Sequence, residues 1–215
     1  MMMRGSLTIG LVTLAFTSAL TSAPPRHSPA AAPQTTWGIT KARPHEVSRI
    51  YWELLPATEV LVPLEPMQRD GTPVRFHLVF HAFYPGRAAL DRRTGLPEWP
   101  KGPPSRLAVT AQAFPLTFVI PELTLRFITG RTTHDLTAPG GRYRYVPCLI
   151  ATDDCTPTGV EADITADLLR TLVRADRVEG TSLGTPFILT DADRDALTAF
   201  ARRIELAPAI ERGAW

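Results

Sequence analysis

Residues 74–84 read VRFHLVFHAFY, and the period of that run decides the fold. Val74, Phe76, Leu78, Phe80 and Ala82 alternate with Arg75, His77, Val79, His81 and Phe83. Successive side chains of a strand point to opposite faces. A period of two in a run rich in Phe and Val therefore marks a β-strand. The first set makes a core face, and the second is mixed. His77 and His81 are four residues apart, which on a helix would let two imidazoles share one metal. On a strand, at ~3.3 Å per residue, their Cα atoms stand about 13 Å apart. Zinc–nitrogen bonds are about 2 Å, so this pair cannot hold one ion. The expected setting is a partly buried polar face packed beneath a helix or loop.

The same period recurs on both sides of this run. TEVLVPLEP puts Val60, Val62 and Leu64 on one face, and Pro63 restricts it to a sheet edge or a bulge. SRLAVTAQAF alternates Leu107, Val109, Ala111 and Ala113 with polar neighbours. ELTLRFITG aligns Leu123, Leu125 and Phe127, and Gly130 permits a turn into RTTHDLT as a return strand. RYRYVPCLI gives Tyr143 and Tyr145 on one face, Arg142 and Arg144 on the other. Pro- and Gly-rich connections separate these runs, the longest spanning residues 85–105.

The C-terminal third changes period. TADLLRTLVRAD places Leu168, Leu169, Leu172 and Val173 at helical spacing, with Thr165 as N-cap. PFILT reads as a strand. TDADRDALTAFARRIEL reads as a second helix capped by Thr190, with Asp193 three residues on and an apolar stripe of Leu197, Phe200 and Ile204. The expected fold is mainly β, a sandwich-like arrangement of about six to eight antiparallel strands with two C-terminal helices. The alternative is an α+β fold.

MMMRGSLTIGLVTLAFTSALTSA, residues 1–23, has one basic residue, an apolar run and a small-residue end, the plan of a secretory signal peptide. Pro24 disfavours a cut after Ala23, so Ala19 and the stretch Ala30–Ala32 are alternative cleavage points. The expected location is secreted or periplasmic, with no transmembrane span in the mature chain. The alternative is anchoring by an uncleaved N-terminal segment. Residues 24–36 form a disordered Pro- and Ala-rich linker by composition. Residues 37–215 remain for a single β-rich domain with a helical C-terminal part.

Charge narrows the partners. Lys and Arg total 23 against 21 Asp and Glu, and both signs are interspersed. With no basic stripe, nucleic acid is excluded as an expected partner. Cys148 and Cys155, in CLIATDDC, have a spacing that fits neither a redox CxxC nor a four-ligand zinc site. In an exported chain they are expected to form a disulfide.

Candidate sites are few. His134 and Asp135 are adjacent on a strand and point to opposite faces, so they form no direct pair. Asp191, Asp193 and Asp195 resemble half an EF-hand loop, but Ala196 and Arg202 stand where Gly and Glu are required. A helix N-terminus accounts for those acids better. Asp153 and Asp154 read as turn residues. In the long loop, Asp91, Arg92, Arg93, Trp99 and Lys101 combine charge with an aromatic ring. Of these, Arg92, Arg93 and Trp99, with Tyr143 and Tyr145, are the candidate ligand-binding residues. The structural alternative for Trp99 is to fold its loop onto the core.

No phosphate loop, dinucleotide fingerprint, zinc-protease helix or GxSxG is present, so no cofactor, metal or catalytic residue is assigned. The leading expectation is a non-catalytic binding or accessory module of a bacterial envelope, with an envelope protein or glycan as partner. The alternatives are a hydrolase with a dispersed site using His77, His81 or His134 as base, and a structural partner in an envelope assembly.

Overall fold

The alternating runs become the strands of two antiparallel sheets. The computed structural model describes residues 42–52, 57–86, 89–93, 98–113, 122–146 and 158–206, all within the unit Trp37–Trp215. In chain order the strands are β1 (Ser48–Trp52), β2 (Ala57–Leu64), β3 (Phe76–Pro85), β4 (Arg106–Ala113), β5 (Leu125–Thr129), β6 (Thr132–Asp135), β7 (Tyr143–Val146) and β8 (Gly159–Asp163). Helix α1 (Ala166–Arg174), strands β9 (Val178–Ser182) and β10 (Thr185–Ile188), and helix α2 (Asp191–Arg203) follow. The six-stranded sheet has the order β1-β2-β3-β4-β8-β7, and the four-stranded sheet the order β10-β9-β5-β6.

This is a mainly β fold with two C-terminal helices, as the alternation requires. The described residues hold ten strands rather than six to eight. SRIYW (β1) and VEGTS (β9) carry too few alternating apolar residues to announce themselves, and each is recruited by pairing with a stronger neighbour.

The core lies between the sheets. Val60, Val62, Leu78, Phe80, Val109, Ala111, Val160 and Ala162 line the larger sheet's inner face, each essentially fully buried. Phe80 meets Phe127 at 6.0 Å between ring centroids, and Phe76 meets Phe187 edge-on at 5.7 Å. These contacts join the two sheets. Leu169 and Leu172 of α1, with Leu197, Phe200 and Ala201 of α2, complete the same cluster.

Pro63 sits in a paired strand, yet its missing N–H costs no ladder bond. β1 covers β2 only from Ala57 to Leu61, so at Pro63 that side of the strand lies beyond the end of β1. The carbonyl of Pro63 accepts there from the His45 amide at 2.8 Å.

Both helix starts match their sequence signals. The Thr165 hydroxyl accepts from the Leu168 amide at 3.1 Å. Thr190 and Asp193 form a reciprocal capping box. Asp193 does more than cap, because it is fully buried. Its carboxylate also accepts from the Glu65 amide (2.7 Å) and His45 Nε2 (2.9 Å), tying α2 to the end of β2 and to the segment before β1.

Candidate functional site

The outer face of the six-stranded sheet carries a row of polar side chains. The strand period turns Trp52, Glu59, His81, Arg106, Thr110, Glu161 and Arg144 away from the core, one or two from each of the six strands. Trp52 Nε1 donates to Glu59 Oε2 at 2.7 Å. Glu59 Oε1 lies 2.5 Å from His81 Nδ1. Arg106 donates from Nη2 to Glu161 at 2.7 Å and from Nε to Asp163 at 2.6 Å. Arg144 grips Glu161 through Nε at 3.1 Å and Nη2 at 3.0 Å.

The carboxylates and the imidazole of this row are buried rather than wet. Glu59 is 0 %, His81 1 % and Glu161 1 % exposed. Buried charges persist only when paired and hydrogen-bonded, and here each carboxylate is. Burial pushes the Glu161 pKa up. The Arg144 hydrogen bond, then the charges of His81, Arg144 and Arg106, outweigh it and hold the carboxyl below its ordinary value. The expected partly buried setting shared by the two histidines is therefore corrected. His81 is fully buried against a carboxylate from the neighbouring strand, whereas His77, at the other end of β3, is exposed.

His134 and Asp135 separate as strand geometry requires. His134 Nε2 lies 3.2 Å from Thr129 Oγ1, and Asp135 takes Arg126 at 2.7 Å. Among the described residues no group of three His, Cys, Asp or Glu side chains could hold a metal ion.

The candidate ligand-binding residues fall into three settings. Trp99 packs against the core, and the guanidinium groups of Arg49 (4.5 Å) and Arg203 (4.1 Å) lie over its ring. Its π-face is thus engaged by the protein's own cations. Arg92 and Arg93 are exposed in a turn, where the Arg93 amide donates to the Asp91 carboxylate at 2.7 Å. Tyr143 and Tyr145 stand together on β7, the last strand of the sheet. They are 37 % and 49 % exposed, with their rings in an edge-to-face pair 5.9 Å apart. The neighbouring Tyr145 side chain raises the Tyr143 pKa. The five candidates thus do not converge on one site. Cys148 and Cys155 lie outside the described residues.

Sequence reasoning missed Glu59, Glu161 and Arg106. The available signal was an acidic residue at an outward position inside an apolar strand, in TEVLVPL and again in GVEAD. No described helix is long and apolar enough to cross a membrane. Neither a protein-family model, nor a curated protein, nor a solved structure matches the chain.

Proposed function

We propose that this chain is an exported, non-catalytic binding module of a bacterial envelope, and that it recognises glycans through Tyr143 and Tyr145. The observation that carries this reading is the pair of half-exposed tyrosines on one edge strand. Aromatic rings combine a large apolar surface with a polar tip and lose little rotamer entropy on binding. Sugar rings present the matching C–H faces. A disulfide between Cys148 and Cys155 belongs to the same reading, and a free-thiol count of two on the exported protein would refute it.

The test is an array of envelope glycans probed with the wild type and the Tyr143→Ala/Tyr145→Ala variant. Two aromatic anchors worth about 1 kcal/mol or more each predict at least a tenfold loss of affinity at unchanged melting temperature. An array with no bound glycan sinks the proposal. A second reading, hydrolysis with His81 as base, rests on the Glu59 carboxylate held against its imidazole. It predicts turnover of an ester, peptide or glycoside probe that His81→Asn abolishes.

A further inference from the structure

The register of β7 fixes which of its backbone groups face outward. In an antiparallel ladder, opposed residues alternate between pairs that exchange hydrogen bonds and pairs that do not. The Asp163 amide donates to the Arg142 carbonyl at 2.8 Å, and Tyr143 is opposed to Ala162. Arg142 and Arg144 therefore spend their backbone groups on β8. The other side of β8 agrees at Ile164, whose amide donates to the Leu107 carbonyl at 3.0 Å. That leaves the N–H and C=O of Tyr143 and Tyr145 pointing away from the sheet. Among the described residues no strand pairs with this edge.

We propose that a second copy of this chain adds to this edge, β7 against β7, antiparallel about a two-fold axis at Arg144. Two outward residues spaced by two admit one symmetric register that uses both. Tyr143 opposes Tyr145 of the other copy, and Tyr145 opposes Tyr143. That register forms four backbone hydrogen bonds, whereas the registers centred on either tyrosine form two. It places four tyrosines side by side on one face, and aromatic cross-strand pairs are among the favourable ones. Arg144 meets Arg144 of the second copy across the axis on the opposite face. Each Arg144 already belongs to a balanced cluster, Arg106 and Arg144 against Glu161 and Asp163, which weakens the usual objection to like charges in register.

The edges of the four-stranded sheet fit a second copy less well, and β1, the far edge of the six-stranded sheet, is told apart by the exchange measurement below. β10 is bridged by Met67, whose amide and carbonyl both bond Ile188. β6 presents Thr132, Thr133, His134 and Asp135, a polar edge with no apolar side chain to bury.

A four-residue strand falls short of the ~1,200 Å² that stable interfaces bury, so the dimer is a weak one. Its consequence for recognition rests on the glycan reading above. The two-tyrosine ledge becomes a four-tyrosine platform, and ligand and dimer favour each other.

The experiment combines sedimentation of the full chain with amide hydrogen exchange. The mass rises from one chain toward two between about 10 µM and 1 mM. Over the same range the amides of Tyr143 and Tyr145 gain protection, while that of Arg144, already bonded within the sheet, does not change. Tyr145→Pro removes an outward N–H, which edge strands tolerate, together with one ring of the platform, so it abolishes dimerisation while the protein stays folded. A monomer at 1 mM, a dimer without added protection at those two amides, or a folded Tyr145→Pro dimer each overturns the proposal. If Tyr145→Pro does not fold, the exchange measurement on the wild type decides alone. A dimer that binds no glycan leaves this inference standing and sinks the proposed function. A glycan-binding monomer does the reverse.

Discussion

Replacing Glu161 by Gln removes one charge from the centre of the outer-face row and keeps its volume. The wild-type carboxylate accepts from Arg106 at 2.7 Å and from Arg144 at 3.1 and 3.0 Å, with Thr110 Oγ1 at 3.5 Å. Removing one partner of a buried ion pair costs about 3–5 kcal/mol, mostly from the charge left behind. Here the stranded cations are better placed than that. Arg106 keeps Asp163 at 2.6 Å, and the arginine side chains are 26 % and 31 % exposed, so water reaches both. The loss is therefore smaller, about 2–3 kcal/mol, and lowers the melting temperature by roughly 5–10 °C for a domain of this size.

The pH dependence supplies an independent check. Glu161 is held below its ordinary pKa in the folded state. A group depressed on folding contributes stability that is full above its unfolded pKa, about 4.3, and is lost as pH falls through the folded value. The gap between wild type and Glu161→Gln is therefore widest near neutral pH and narrows below about pH 4. Urea unfolding followed at several pH values measures both quantities. A cost under about 0.5 kcal/mol at pH 7, or a gap that does not narrow in acid, would show that the buried row contributes no net ion-pair stability.

Two further substitutions probe the scaffold. Gly180, on β9, lies under the Phe187 ring and against the Arg126 carbonyl, and a Cβ there would overlap both. Gly180→Ala is expected to cost about 2–3 kcal/mol in thermal or urea unfolding, and an unchanged midpoint would refute that packing. Glu205 adopts φ +59 just past α2, where the Leu206 amide reaches back to the Ala201 carbonyl at 2.9 Å. Glycine suits that left-handed position, so Glu205→Gly is expected to raise stability by about 0.5 kcal/mol, and a lower melting temperature would contradict it.

The two levels of description divide along the range of the physics. Local period determined the strand faces of VRFHLVFHAFY and SRLAVTAQAF, since alternation needs only neighbouring residues. The caps at Thr165 and Thr190 were legible for the same reason, because each is satisfied within three residues. The sequence also excluded a shared metal for His77 and His81, because the length of a strand is a local property. It could not say which outward side chains meet. Glu59 reaches His81 from 22 positions away, and Arg106 reaches Glu161 across 55. Those pairings depend on the strand order β1-β2-β3-β4-β8-β7, in which β8 inserts between β4 and β7. Among the described residues the same order leaves Tyr143 and Tyr145 on the last strand rather than inside the sheet. Strand order is set by the packing of the whole core, so only the tertiary structure decided that one outward face holds buried, paired carboxylates and that β7 is the last described strand of its sheet.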